Sequence, residues 1–307
     1  MQSAVPPSLE IGPVAPAERA AALELLLGDW EGEDRRRQIA ELLQTPADSA
    51  TWDTFLAARC GGRIVAVTWG QLQPGRVAGL WLPRSAPGAS TSMALPLLEA
   101  LCRALQARDV QIALSLLFET QQAEMDLLAR GGFARIATLE YMFSPEHDFP
   151  TECPDGGLEF VPYEPATHAR LAAILQATYQ QTLDCPYWTA ARAIDDVLAG
   201  YRAAGVFDPR RWLVVRHQQY DVGCLLLADY PDRDQQELGY MGLRPELRGR
   251  GWGIQVVRHA QWLCRQAGRS RLVLCVDAAN GPARRIYQAA GFHTWQRRVA
   301  HAKILQR

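Results

Sequence analysis

The 307-residue sequence has no CxxC pair and no short cysteine–histidine spacing, although it contains seven cysteines. Cys60, Cys102, Cys153, Cys185, Cys224, Cys264 and Cys275 stand singly, mostly inside apolar runs, which argues against a metal site or a disulfide scaffold. No apolar run approaches the ~18 residues that cross a bilayer, so no membrane partner is expected. The stretch from Met1 to Pro16 lacks the charged-then-apolar pattern of a secretory leader. An odd number of thiols without a leader fits a reducing compartment, and a cytoplasmic location is expected. Two phosphate-binding patterns are also missing. No Lys-Ser/Thr pair follows Gly253, which excludes a Walker A loop, and the G-x-G-x-x-G spacing of a dinucleotide fold is absent.

Nearly half of the residues are apolar, enough for two cores in a chain longer than the usual single domain of ~100–200 residues. The segment Ser144 to Gly157 (SPEHDFPTECPDGG) is rich in turn formers and reads as a linker. It sets the expected domains at 1–150 and 151–307. In the second half, helical patterns over Thr167–Leu183 and Thr189–Ala203 precede strand patterns over Arg211–His217, Val222–Asp229 and Glu237–Leu243. A helix over Gly251–Ala267, a strand over Leu272–Val276, a helix opened by Pro282 and closed by Gly291, and strands over Phe292–Gln296 and Val299–Leu305 complete it. The first half repeats the order: strands Gly62–Gln71 and Arg76–Leu82, helix Ser90–Ala107, strand Val110–Phe118, helix Thr120–Arg130. It too ends in Gly-Phe, at Gly132 and Phe133, so two copies of one mixed α/β fold are expected.

Net charge is close to zero, yet eleven arginines lie between Arg244 and Arg298 against only Glu246 and Asp277. A solvated basic face, a polyphosphate ligand and a nucleic acid each account for that stretch. Within it, Glu237-Leu-Gly-Tyr-Met-Gly-Leu-Arg-Pro-Glu-Leu-Arg-Gly-Arg-Gly-Trp-Gly253 reads as a strand running through a glycine-rich turn into a helix. Glycines allow close backbone approach, and the first amides of a helix are unpaired donors at its positive end. Such a turn suits a pyrophosphate.

These residues resemble a known family. Arg248-Gly-Arg-Gly251-Trp-Gly253 matches the R/Q-x-x-G-x-G/A signature of the GNAT N-acetyltransferases, and Asn280-Gly-Pro-Ala283-Arg-Arg-Ile-Tyr287-Gln-Ala-Ala-Gly291-Phe292 matches the second signature. Both stand in the family's order and spacing, and the resemblance covers about residues 158–307. It implies a mixed sheet whose fourth and fifth strands splay apart around acetyl-CoA. Met241, Gly242 and Leu243 would pair with the pantetheine amides, and the backbone of Arg248, Gly249, Arg250, Gly251, Trp252 and Gly253 would hold the pyrophosphate. On that reading the arginines neutralise phosphate, and no nucleic-acid partner is needed.

Tyr287 shares a helical stripe with Ala283, Ile286 and Ala290, which by spacing alone is a core position. The resemblance instead places it beside the CoA sulfur as the acid that protonates the leaving thiolate. Glu237 is either the base that deprotonates an acceptor amine or a strand-edge carboxylate. Asp277 is the next candidate, with turn capping as its other role. Asn280 caps a helix and, by resemblance, touches CoA. Asp184, Tyr187 and Trp188, with Cys185, fall where the family forms its acceptor pocket, and they also read as an apolar turn. The first half departs from the pattern: Leu82-Pro-Arg-Ser-Ala-Pro-Gly-Ala-Ser90 lacks the signature, and Leu128 replaces the tyrosine. It reads as a degenerate copy. The implied activity is acetyl transfer to a primary amine of a small molecule or protein. The alternative is an acyl-CoA-binding sensor or scaffold that lacks catalysis.

Overall fold

The computed structural model describes residues 9–46, 49–189 and 192–305, apart from the side chains of residues 9, 188 and 189. The chain divides into two compact units, residues 1–135 with 300–307, and residues 136–299.

In the first unit, β1 (Leu9–Pro13), β2 (Phe55–Cys60), β3 (Arg63–Gln73) and β4 (Val77–Ser85) pair antiparallel in chain order, and β5 (Ile112–Leu117) lies parallel to β4. Parallel neighbours require a crossover. It is supplied by α3 (Ala94–Gln106), whose Leu97, Leu98, Leu101, Cys102 and Leu105 form one buried stripe. The stripe sits so close to β3 that a Cβ at Gly70 would lie 2.9 Å from Leu105 Cδ2. A second core joins α1 (Arg19–Leu26) and α2 (Gly32–Leu43) to Trp52, Phe55 and Trp69, with the two indoles stacked at 5.0 Å. After α4 (Gln122–Arg130), this unit is completed by the end of the chain: the Leu305 amide donates to the Gln111 carbonyl at 2.8 Å, and its side chain is buried beside the α3 stripe.

In the second unit, β7 (Glu159–Pro162), β8 (Trp212–His217), β9 (Tyr220–Tyr230) and β10 (Gln235–Leu243) form an antiparallel ladder. β11 (Arg271–Asp277) runs parallel to β10, with α8 (Trp252–Gln266) as the crossover, and β6 (Ala134–Pro145) pairs antiparallel to β11 on its other side. The residues of α5 (His168–Thr178) and α7 (Ile194–Ala203) pack on one core, and those of α8 and α9 (Gly281–Ala289) on another. Helices on both faces explain why β9 is buried without a break from Val222 to Ala228. The short α6 (Pro186–Thr189) lies between α5 and α7. Among the described residues no helix is long and apolar enough to cross a membrane.

Three expectations are corrected. The linker pattern hides the end of β6, which was not foreseen. Residues 139–145 of that strand pair with residues 271–277 of β11, so the division between units falls at 135/136 and not at 150/151. The two terminal strands are one, β12 (His293–Ile304), whose residues 293–299 count with the second unit and 300–304 with the first. Strands β1, β2 and β7 and helices α1 and α2 carried no pattern strong enough to be read in advance.

Candidate active site

The site begins with a break in pairing. β10 and β11 are in register only from Gln235↔Arg271 to Leu238↔Leu274. The β10–β9 register shifts between Leu238 and Tyr240, so Gly239 is a bulge. A bulge bends its strand and ends regular pairing. Beyond it, β10 continues on β9 alone and residues 275–277 of β11 continue on β6 alone, opening a V between Gly239–Leu243 and Cys275–Asp277. This is the splay implied by the motifs.

A cavity of about 700 Å³ occupies the opening. Met241, Gly242 and Leu243 line it from β10, Gly249, Gly251 and Gly253 from the turn, and Asn280, Arg285 and Tyr287 from the start and middle of α9. The three turn glycines are required for two reasons. Gly249 and Gly251 have φ of 79° and 78°, a left-handed conformation in which their Cα hydrogens look into open space. Gly253 has ordinary backbone, but a Cβ there would lie 2.7 Å from Ile286 Cδ1, so it lets α8 approach α9. Gly251 is the N-cap of α8 and has no side chain to cap it, which leaves the first amides of the helix facing the cavity mouth.

The arginines divide into structural and free ones. The Arg248 guanidinium turns back and donates to the carbonyls of Leu243, Thr178, Gln180 and Gln181 at 2.9–3.1 Å. It therefore ties the end of β10 to the C-terminus of α5, where carbonyls are orphaned and a cation is favoured. The side chain of this signature arginine is spent on architecture, and only its backbone is placed with the turn. Arg284 is bidentate on the fully buried Glu140 of β6, which Arg297 also engages. Arg285, next in sequence, lines the cavity and is the cation that sequence reasoning passed over. Its signal was the adjacent arginine pair, of which one helical position points to the sheet and the next does not. Arg250 stands over the Trp252 ring at 5.5 Å, and Trp252 packs on His217 at 4.8 Å; neither lines the cavity.

Tyr287 is 6% exposed, packed on Phe292 and facing the cavity. Burial, with Asp184 and Cys275 near, pushes its phenol well above the ordinary value, so it holds its proton at any working pH. Asn280 Oδ1 accepts from the Ala283 amide at 3.3 Å, the expected cap, and also lines the cavity. Asp277 is buried, and both its oxygens accept backbone amides, Oδ1 from Ala279 at 2.9 Å and Oδ2 from Cys185 at 3.3 Å. Asp184 lines the cavity and accepts the Asp277 amide at 2.9 Å.

Glu237 stands on β10 before the bulge. Burial raises its carboxyl, a hydrogen bond from the Tyr230 hydroxyl partly opposes that, and it is not among the residues lining the cavity. Tyr187 is exposed and away from the lining, and the side chain of Trp188 lies outside the described residues. In place of those two aromatics, three tyrosines on regular elements meet near Asp184. Tyr240 touches Tyr179 at 5.3 Å and Tyr201 at 5.9 Å, and its hydroxyl lies 2.8 Å from Thr178 Oγ1.

The GNAT acetyltransferase family model matches residues 169–292, which span the whole site. No curated protein matches the sequence. Among solved structures, a GCN5-related N-acetyltransferase from Sphaerobacter thermophilus is similar over 97% of this chain and 96% of its own, with a TM-score of 0.64 at 18% identity. A GCN5-related glucosamine N-acetyltransferase region of a fungal multi-domain β-N-acetylglucosaminidase is similar over 98% of this chain and 39% of that one, with a TM-score of 0.63 at 17% identity. A tandem GNAT protein from the clavulanic acid biosynthesis pathway is similar over 98% and 99%, with a TM-score of 0.54 at 14% identity. Identities this low establish the fold, and the family match adds the signature-bearing unit. Residues 169–292 thus match the GNAT acetyltransferase family, and the chain shares its fold with these structures.

Proposed function

We propose that the second unit is an N-acetyltransferase that moves the acetyl group of acetyl-CoA to a primary amine, and that the first unit keeps the fold without the chemistry. One observation carries this reading: a single cavity joins an uncapped helix N-terminus at Gly251 to the hydroxyl-bearing ring of Tyr287. The residues fit the cosubstrate. Left-handed Gly249 and Gly251 leave room that any Cβ would fill, the first amides of α8 suit a pyrophosphate, and Arg285 is a cation at the same cavity. The backbone of Met241 to Leu243, freed from β11 by the bulge, supplies an edge for the pantetheine amides.

Acetyl-CoA would bring an activated thioester carbonyl. The chain would orient it along β10, and Tyr287 Oη would give a proton to the departing sulfur. Tyrosines 179, 201 and 240 with Asp184 would receive the amine from the α5 and α7 side, since aromatic rings and carboxylates favour a cation. The test is release of CoA from acetyl-CoA with tyramine, spermidine, glucosamine and free lysine as probe amines. Acceleration by at least one amine is expected. Tight acetyl-CoA binding with no acceleration by any of them would overturn the enzymatic reading in favour of a binding protein.

A further inference from the structure

Two carboxylates stand on the acceptor side of the sheet, and their surroundings differ. Glu237 has the Tyr230 hydroxyl on its carboxylate and Arg233 nearby, and it is not part of the cavity wall. Asp184 shares that wall with Tyr287. Its Oδ1 is fixed by the Asp277 amide, while Oδ2 makes no hydrogen bond or ion pair among the described residues. The loop carrying it is held from the opposite direction as well, because Cys185 donates its amide to Asp277 Oδ2. Aspartate 184 is therefore pinned at the end of β11 with one oxygen free.

The titratable groups facing Asp184 are Cys185 beside it, Tyr179 on α5, Tyr201 on α7, Tyr240 on β10, Cys275 and Asp277 on β11, and Tyr287 on α9. None is a cation. A carboxylate in that setting is electrostatically uncompensated, so an incoming ammonium is the partner it lacks. Burial also raises its affinity for a proton, which brings it closer to the range a base needs.

Resting on the N-acetyltransferase reading, we propose that Asp184 Oδ2 takes the proton that the acceptor ammonium must lose before attack, and that Glu237 takes no part in the transfer. The ammonium N–H bond breaks toward Asp184, and the freed lone pair forms the C–N bond at the thioester carbonyl. As the C–S bond breaks, Tyr287 Oη gives its proton to the sulfur and recovers one from the attacking nitrogen. Asp184 then releases its proton to solvent through the open cavity. An ammonium and a thioester have become an amide, a thiol and one proton.

Asp184→Asn is the informative change, because asparagine keeps Oδ1 as acceptor for the Asp277 amide. The folded state raises the affinity of Asp184 for a proton, so its ionisation costs stability as pH rises from the unfolded to the folded value. Asp184→Asn should therefore melt no lower than wild type at pH 7, and acetyl-CoA affinity by calorimetry should be unchanged. With the best of the four probe amines, kcat/KM at pH 7 should fall by a factor of about 10²–10⁴. The deficit should shrink above pH 9, where the amine deprotonates itself. Glu237→Gln should lose less than about fivefold. If wild type transfers and Asp184→Asn keeps more than a third of its rate, or Glu237→Gln suffers the larger loss, the assignment to Asp184 is overturned. If wild type transfers to no amine, the N-acetyltransferase reading fails first and takes this assignment with it.

Discussion

The two units share a scaffold and differ at the points where a ligand would be held. In the first, β4 and β5 are in parallel register only from Val77↔Ile112 to Gly79↔Leu114; in the second, β10 and β11 stop at Leu238↔Leu274. Helices α4 and α9 end alike, on left-handed Gly132 and Gly291, with Phe133 donating to the Leu128 carbonyl at 2.9 Å and Phe292 to the Tyr287 carbonyl at 3.0 Å. The helix after the splayed strand begins differently. Ser90 Oγ accepts from the Ser92 amide at 3.2 Å at the start of the helical segment leading into α3, whereas Gly251 leaves the start of α8 bare. One helix satisfies its own terminus, and the other presents it to a cavity. Likewise Leu128 is fully buried where Tyr287 faces that cavity. Packing fixes the positions the units share, and those it leaves free are where they diverge.

The largest expected effect comes from cutting the comparison at the wrong place. A fragment of residues 151–307 lacks β6, which leaves β11 with a bare edge and removes Glu140 from Arg284 and Arg297. It should show no cooperative thermal unfolding and no acetyl-CoA binding. A fragment of residues 136–307 keeps the strand and should regain both. Equal melting of the two fragments would show that β6 is dispensable to the second unit.

Why β6 escaped sequence reading is instructive. Its last residues, Ser144 and Pro145, open a run of turn formers, and a strand's pairing partner leaves no local mark when it is more than a hundred residues away. The helix α8, the strand β11 and the Gly-Phe ends were legible because periodicity, caps and left-handed glycines are local signals. The glycines, Asn280 and Tyr287 that line the cavity are singled out by the resemblance to the two family signatures; spacing alone reads Tyr287 as core. The clamp role of Arg248 did not, since its four carbonyl partners are gathered from α5 and β10 only by folding. Glu237 was expected near the chemistry from its place on the strand, but Gly239 shifts the register between it and the splayed part of β10, and the cavity begins beyond that shift.

Tyr287→Phe makes the second unit resemble the first at its key position while keeping the ring. Single-turnover transfer should slow by a factor of about 10²–10⁴, the contribution of a positioned acid. Acetyl-CoA affinity and the melting temperature should stay close to wild type. Transfer at the wild-type rate would leave Tyr287 as packing alone.

Gly251→Val closes the bare helix start. At φ of 78° a β-branched residue is strained, and the turn should relax away from the geometry that faces the cavity. Restoring it on binding at a cost of about 1–3 kcal/mol corresponds to a loss of roughly 5-fold to 150-fold in acetyl-CoA affinity. Titration calorimetry reads this directly, and an unchanged affinity in a folded variant would remove the turn from the binding site.

The smallest effect is expected from the reverse graft, Leu128→Tyr in the first unit. If one residue separated the two copies, this change would move the first toward function. The structure argues that it would not, because the terminus ahead of α3 is already satisfied by Ser90 and Leu128 is wholly enclosed among Leu97, Leu98 and Phe133 in one core. A larger side chain there overpacks the core, at about 1–3 kcal/mol, and its hydroxyl arrives where no partner is prepared. The melting temperature of the first unit should drop by a few degrees, acetyl-CoA stoichiometry should stay at one per chain, and transfer by the second unit should be unaffected. A second binding event in calorimetry would mean that the first unit still holds a cosubstrate site and differs from its neighbour by the acid alone.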